Sequence, residues 1–236
     1  MDRFSTTRWS IVVGAQGSGD SARASLETLC RTYRPPVLAY IRSRGYRGDA
    51  AEDLTQSFFA KFLERNHYAG LDPARGRFRG YLLTAIQHFL INADAAANAV
   101  KRGRDARIES VDAGAATTEA LAAQTPSPEQ AFDQAWALAV LDAAIQRLSE
   151  ETAAAGKGRL FDLVRDFMAE PPAEDDYARV ASELGLRANT VAVAVHRLRQ
   201  RLRELVREEV AETSADSDAL DHELRQLRSA LGGSER

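Results

Sequence analysis

The chain has 236 residues, 44% of them hydrophobic, which is enough to bury a core in one domain or in two small ones. It has no apolar run long enough to span a bilayer, and its first residues carry Asp2, Arg3 and Arg8 instead of a signal-peptide core, so we expect a cytoplasmic protein. Its net charge of −3 and pI near 5.9 lack the basic excess of most stand-alone DNA-binding proteins.

Apolar residues recur at helical spacing and strand-like alternation is almost absent, which predicts an all-α fold. The predicted helices cover 20–33, 36–44, 49–66, 76–99, 130–150, 157–169, 174–184, 189–210 and 216–231. Residues 105–130 are rich in Ala, Thr, Ser and Gly and contain two prolines, which is typical of a flexible linker, although a long loop within one domain is the alternative. We therefore expect two small helical domains, 1–104 and 131–211, and an acidic amphipathic helix in 212–236.

The first helical group contains the only cysteine of the chain, Cys30, on the same helical face as Leu26 and Leu29. A thiol in that place is expected to pack as a small apolar side chain. A single cysteine excludes an internal disulfide and a cysteine-based zinc site.

The helix predicted for 49–66 is amphipathic. Leu54, Phe58 and Phe62 are expected to face a core. The polar residues of the outer face are Glu52, Asp53, Gln56 and Lys61.

A basic and aromatic cluster follows, from Arg75 to Tyr81, and it leads into a long helix that ends near Lys101 to Arg104. Basic residues interleaved with Phe78 and Tyr81 are of the type that holds single-stranded nucleic acid by phosphate attraction and base stacking. The alternative is that both rings belong to the core.

The segment from Tyr177 to Val191 has the pattern of a helix-turn-helix. Gly185 suits the left-handed position that ends the first helix, Leu186 is expected to anchor the turn, and Asn189 is a candidate N-cap of the second helix. The apolar seam of that helix is Val191, Val195, Leu198, Leu202 and Leu205. Its other face is polar and basic, as a recognition helix requires, and the alternative is a solvated amphipathic hairpin.

The chain resembles an extracytoplasmic-function sigma factor of the sigma-70 family in the order and spacing of four features. These are Glu52-Asp53-Leu54-x-Gln56, Phe78-x-x-Tyr81-Leu82, a linker and a helix-turn-helix. The resemblance covers roughly residues 5–210. It implies a region-two domain, 1–104, that binds bacterial core RNA polymerase and melts the minus-ten promoter element. It also implies a region-four domain, 131–211, that reads the minus-thirty-five element of promoter DNA.

The resemblance also assigns site residues. Core polymerase binding is expected at Glu52, Asp53 and Gln56. Minus-ten DNA is expected near Arg75, Arg77, Arg79, Lys101, Arg102 and Arg104. Minus-thirty-five DNA is expected at Arg187, Asn189, Thr190, Val193, His196, Arg197 and Arg201. An acidic pI fits a factor that acts on DNA within a holoenzyme.

The polymerase-binding helix departs from the family pattern Asp-Ala-Glu-Asp-Leu-x-Gln-Glu, because Ala50 and Ser57 stand at its first and last acidic positions. Some similar family members are controlled by a serine/threonine kinase that acts on a threonine in this helix. Our hypothesis is that phosphorylation of Thr55, or less favourably of Ser57, restores the missing charge. The alternative is that Thr55 is an ordinary helix residue. Under the phosphorylation hypothesis a serine/threonine kinase would be a partner of the protein. An inhibitor protein is left open as a further partner.

The amphipathic segment 216–231 places Leu220, Leu224, Leu227 and Leu231 on one face. We expect this helix to dock on the region-four domain or on a partner. A second hypothesis is self-inhibition, in which the acidic helix covers the recognition helix.

Two other functions compete with the sigma factor. A stand-alone helix-turn-helix regulator would bind paired half-sites without polymerase, and a helical adaptor would not touch nucleic acid. The acidic balance argues against the first, and the two basic clusters argue against the second. Neither an enzyme nor a cofactor is expected, since the sequence has no phosphate-cradling glycine loop, no metal-ligand set and no paired carboxylates in a plausible cleft.

Overall fold

The computed structural model describes residues 19–64, 78–104, 126–212 and 216–232, together with residues 15, 17 and 214; for 97–104 and Glu174 it describes the backbone alone. These residues form eight α-helices and one 3-10 helix and contain no β-strand, which confirms the predicted all-α fold. None of the helices described is both long and apolar enough to cross a membrane. Two compact units result: unit 1 is Met1–Ala137 with Thr213–Arg236, and unit 2 is Leu138–Glu212.

Unit 1 contains α1 (Asp20–Ser43), α2 (Gly48–Glu64), α3 (Phe78–Arg104) and α8 (Ser217–Ala230). Unit 2 contains α5 (Gly158–Val164), a 3-10 helix (Arg165–Met168), α6 (Glu174–Leu184) and α7 (Ala188–Ala211). Helix α4 (Pro128–Ala154) gives its first residues to unit 1 and the remainder to unit 2. The last residues of the linker predicted for 105–130 form the start of α4, and its residues 105–125 lie outside the described part of the chain.

Helix α1 runs continuously through Pro35 and Pro36, where the sequence predicted a break between two helices. Proline lacks a backbone N–H and crowds the preceding turn, so an interior pair is unfavourable. Tyr33, Val37 and Ile41 on either side of the prolines are almost completely buried, at 1%, 0% and 0% exposure. Burial of these side chains on both sides of the prolines favours one continuous helix and offsets the missing hydrogen bonds.

Aromatic rings fill much of the core of unit 1. The rings of Tyr33 and Phe78 meet edge to face with centroids 5.0 Å apart, and Phe58 meets Phe89 in the same way at 5.5 Å. The predicted inward positions of Phe58 and Phe62 are confirmed, since both are buried. Phe78 is also buried, so the core interpretation of this ring is correct and the nucleic-acid stacking interpretation is wrong for it.

The core of unit 2 forms where α5, α6 and α7 pack together. Val180 of α6 and Val191 and Val195 of α7 are buried in one cluster with Val164 and Phe167. Farther along α7, Leu202 and Leu205 pack with Ala144, Leu148 and Phe161. The predicted apolar seam of α7 is thus confirmed, with Leu198 half-buried between the two clusters.

The turn between α6 and α7 is closed by Gly185. Its φ of 65° lies in the left-handed region that glycine adopts without strain, and the Leu186 amide bonds to the Ala181 carbonyl at 2.8 Å. Two details of the sequence prediction were wrong. Leu186 is 43% exposed and does not anchor the turn from below. Asn189 is not the N-cap of α7, because the helix begins at Ala188 and its N-cap is Arg187.

Helix α8 is capped by Asp216, whose carboxylate accepts a hydrogen bond from the Ala219 amide at 2.8 Å. Of the predicted apolar face, Leu220 and Leu227 are buried and Leu224 is half-buried, whereas Leu231 is 43% exposed. The expectation that this helix docks on the region-four domain was wrong, because residues 213–236 group with unit 1. The sequence shows that α8 has an apolar face but carries no information on which unit receives it.

Candidate nucleic-acid interface

The predicted polymerase-binding residues lie on the outer side of α2. Asp53 and Gln56 are exposed, and Glu52 is half-exposed. Glu52 accepts hydrogen bonds from two arginines of α1, Arg34 at 2.6 Å and Arg42 at 3.0 Å, one to each carboxylate oxygen. The two arginines fix the orientation of this carboxylate at the surface, an arrangement that could not be predicted from local sequence patterns.

Thr55 lies on the opposite side of α2. Its side chain is completely buried together with Ala51, Phe58 and Phe62, and its hydroxyl donates to the Ala51 carbonyl at 2.7 Å. A kinase does not reach this hydroxyl in the described arrangement. Ser57, the less favoured candidate, is exposed on the same helix.

An aromatic cavity of about 550 Å³ opens between α2 and α3. It is lined by Phe58, Lys61, Phe62, Tyr81, Thr84, Ala85, His88, Phe89 and Asn92. The Lys61 ammonium lies 5.2 Å from the centre of the Phe89 ring, a cation–π contact at the cavity wall. Burial raises the pKa of the Tyr81 phenol, which keeps it protonated as a hydrogen-bond donor. Flat apolar walls, a cation and polar side chains suit a nucleobase or an aromatic side chain.

Sequence reasoning missed this cavity. It placed Phe58 and Phe62 in a core and assigned no role to His88. The four-residue spacing of Tyr81, Ala85 and Phe89, which puts them on one face of α3 opposite the aromatic face of α2, was the signal available.

Arg79 is placed differently from its prediction as a minus-ten contact. Its side chain is only 10% exposed, and it pairs with Asp133 and with Glu223. Its guanidinium also stacks over the Trp136 ring, 4.6 Å from the centroid. Of the other residues predicted for this role, Arg75 and Arg77 lie outside the described residues, and Lys101, Arg102 and Arg104 lie at the end of α3, where only the backbone is described.

The polar face of α7 is open to solvent. The exposed members of the predicted set are Arg187, Asn189, Thr190, Val193, His196 and Arg197. They lie in the connection between α6 and α7 and in the first three helical turns of α7, so the structure brings them together on one surface.

Arg201, the seventh member, has its guanidinium occupied by carboxylates. It donates to Glu151 at 2.8 and 2.9 Å, to Glu204 at 3.0 Å and to Glu208 at 3.1 Å. The hydrogen bond from Arg201 lowers the pKa of Glu151, and the hydrogen bond to Glu151 raises the pKa of Arg201. A phosphate would have to displace these carboxylates before Arg201 could bind it.

A second cavity, of about 790 Å³, adjoins this face within unit 2. Its apolar wall includes Leu148, Leu160 and Leu184. Five of the predicted promoter contacts also line it: Asn189, Thr190, Val193, Arg197 and Arg201. The polar face of α7 is therefore one edge of a groove.

Arg199 has a role that the sequence did not reveal. From the side of α7 it donates to the Phe167 carbonyl, at 2.8 Å through Nε, and to the Glu170 carbonyl at 2.9 Å. These carbonyls lie at the end of the 3-10 helix, where helical partners are lacking. Arg199 thus ties the 3-10 helix to α7.

Metal chemistry finds no support in the part of the chain that the structure describes, where no group of three or more His, Cys, Asp or Glu residues could hold an ion. Cys30 is half-buried and burial raises the pKa of its thiol, which keeps it protonated.

Comparison with known protein families identifies a match within unit 1. Residues 29–98 match the family model described as Sigma-70 region 2. The matched segment runs from α1 through α2 into α3 and includes Glu52, Asp53, Gln56 and the aromatic cavity. Neither the curated proteins nor the solved structures contain a match to the chain.

Proposed function

We propose that this protein, whose residues 29–98 match the sigma-70 region 2 family model, is an alternative sigma factor of the extracytoplasmic-function type. The family match carries the proposal, because it supports a sigma factor that binds core RNA polymerase and takes part in promoter recognition. In this role the protein acts in the cytoplasm, has no catalytic activity of its own and needs no cofactor.

The outer face of α2 is the proposed polymerase contact. Asp53 and Gln56 are exposed, and Glu52 is held in place by Arg34 and Arg42. Both oxygens of Glu52 are already paired with arginines, so a basic partner surface would have to compete for this carboxylate, and Asp53 and Gln56 are the more accessible members of the predicted set. Each exposed charge pair contributes about 0.2–1 kcal/mol, so this contact needs its apolar and polar neighbours as well.

The aromatic cavity is the proposed place for a base of the melted minus-ten strand. Its aromatic walls offer stacking surfaces, and each stacked base contributes about 1–3 kcal/mol. Lys61 at the wall offers a cation to the strand.

The polar face of α7 is the proposed reader of the minus-thirty-five element. Two helices joined by a short turn, the second with Arg187 and Arg197 exposed, fit the docking of a recognition helix in the major groove. The pairing of Arg201 with three carboxylates supports a role for Arg201 in stabilising this helix and not in the first contact with DNA.

Control by phosphorylation of α2 remains part of the proposal, but Ser57 now fits it better than Thr55. Ser57 is exposed near Asp53 and Gln56, whereas Thr55 is buried. A phosphate on Ser57 would add about −1.5 to −2 charge at the position where the related helices carry a glutamate.

Co-elution of the full chain with bacterial core RNA polymerase tests the proposal. The unmodified protein and a Glu27→Lys control, altered on the exposed side of α1, should co-elute, and Asp53→Lys should bind about tenfold more weakly because it reverses a contact charge. Failure of the unmodified protein to co-elute, together with tight binding of duplex DNA by the free chain, would instead identify a stand-alone regulator.

A further inference from the structure

Arg79 connects two distant segments of unit 1. Its Nε donates to Glu223 of α8 at 2.9 Å, and its NH1 donates to Asp133 of α4. Trp136 lies beneath the guanidinium. The contact is nearly dry, with side-chain exposures of 10% for Arg79 and 5% for Glu223.

Helix α8 is held on unit 1 by more than this ion pair. Leu220 and Leu227 flank Glu223 at helical spacing and are buried with it. The docked face of α8 therefore consists of an apolar stripe with one carboxylate directed at Arg79.

An arginine fork binds a carboxylate and a phosphate with the same planar geometry. While Glu223 and Asp133 occupy Arg79, the guanidinium is withheld from nucleic acid. Arg79 nevertheless lies within the sigma-70 region 2 match, two residues before Tyr81 of the aromatic cavity.

We propose that α8 is a built-in cover of unit 1. In the covered state the Glu223 carboxylate binds Arg79, and once α8 is displaced a backbone phosphate of single-stranded promoter DNA binds Arg79 in its place. The inference rests on the proposed function, since it requires unit 1 to bind single-stranded DNA. It differs from the self-inhibition expected from the sequence, because the covered surface is on unit 1 and not on the recognition helix.

The test measures binding of a fluorescent single-stranded oligodeoxynucleotide of mixed sequence to the full chain at fixed ionic strength. Glu223→Gln keeps the shape of the side chain and removes its charge, so the affinity should rise about two- to tenfold. Asp218→Asn removes one charge from an exposed position of the same helix and should change the affinity less than twofold, which controls for net charge.

A double variant links the gain to Arg79. In Arg79→Gln/Glu223→Gln the increase should disappear, because no guanidinium is left to be released. An unchanged affinity of Glu223→Gln, or a gain that persists in the double variant, would overturn the proposal.

Amide hydrogen exchange tests the same proposal on the unmodified protein, so the result does not depend on whether a variant folds. In the unmodified protein, saturating oligonucleotide should speed exchange in 217–230, and unchanged exchange there would also overturn the cover. Co-elution with core polymerase separates the two proposals. If the protein co-elutes while the binding and exchange results are negative, only the proposal that α8 covers unit 1 is refuted. If the protein does not co-elute, the proposed sigma factor function is refuted.

Discussion

The hydroxyl of Thr55 donates to the carbonyl of Ala51, 2.7 Å away and one turn earlier in α2, with the whole threonine side chain buried. The helix thus satisfies the hydroxyl internally while the methyl group packs in the core of unit 1. A phosphate at this position would place a buried charge without a partner, which folded proteins do not tolerate without local opening.

We therefore expect Thr55→Glu to destabilise unit 1 by about 2–5 kcal/mol, the range for an uncompensated buried charge. Ser57→Glu, at an exposed position two residues later, should change stability by less than about 0.5 kcal/mol. Chemical denaturation followed by circular dichroism measures both. A Thr55→Glu protein as stable as the unmodified chain would show that the hydroxyl side of α2 is open in solution.

Replacement of Arg199 should loosen unit 2. Arg199→Ala removes the hydrogen bonds to the Phe167 and Glu170 carbonyls and should lower the free energy of unfolding by about 1.5–3 kcal/mol, as expected for bonds to a charged donor. Arg203→Ala, at an exposed site one turn later, serves as the matched control and should have little effect. Equal stability of the two variants would contradict the tie between the 3-10 helix and α7.

Arg197 and Arg201 should respond differently to the same substitution. Arg197→Gln should weaken binding of duplex DNA and reduce the slope of log affinity against log salt by about one, because an exposed guanidinium is free to meet a phosphate. Arg201→Gln should affect thermal stability more than DNA affinity, since it breaks contacts to Glu151, Glu204 and Glu208. Fluorescence anisotropy at several salt concentrations makes the comparison, and a larger salt effect of Arg201→Gln would reverse the assignment.

Glu212 should make unit 2 less stable as the pH rises. Burial, followed by the charge of Glu209, raises the pKa of this carboxyl in the folded chain. The stability that the protonated Glu212 carboxyl contributes is therefore fully present below its pKa in the unfolded chain, about 4.3. This stability is lost as the pH rises through its pKa in the folded chain. Glu212→Gln should melt at a higher temperature than the unmodified protein at pH 7, and the difference should vanish by about pH 4.

A matched control for Glu212 is Glu150→Gln, which removes a charge from an exposed position of α4. Its melting temperature should follow that of the unmodified protein across the same pH range. A constant offset of Glu212→Gln at every pH would assign the effect to packing and not to ionisation.

The helices were predictable because their apolar periodicity and turn residues are local. Gly185 illustrates this, since the residue type and the left-handed backbone it adopts are linked at a single position. Pro35 and Pro36 show the limit: local propensity predicted a break, and burial of Val37 and Ile41 in a core built by other helices overrode it.

Site residues were less predictable, because the partner of a charged side chain is set by the tertiary fold. Arg79 and Arg201 look in the sequence like the basic residues around them, yet each is held by carboxylates, and the two partners of Arg79 are 54 and 144 residues away. Arg197, four residues before Arg201 on the same helix, stays exposed. The sequence identifies which residues can bind phosphate, and the fold decides which of them are available.

The pairing of Arg79 with Glu223 also has a consequence for synthesis on the ribosome. Glu223 is added 144 residues after Arg79, which at about 5–20 residues per second means a delay of roughly 7–30 s. During that interval Arg79 of the nascent unit 1 lacks Glu223, and for the first 54 residues it lacks Asp133 as well. The side chains of Leu220 and Leu227, which are buried in the folded chain, are also still missing. The nascent chain is therefore most exposed to aggregation and to chaperones after its N-terminal helices have emerged and before α8 has followed them.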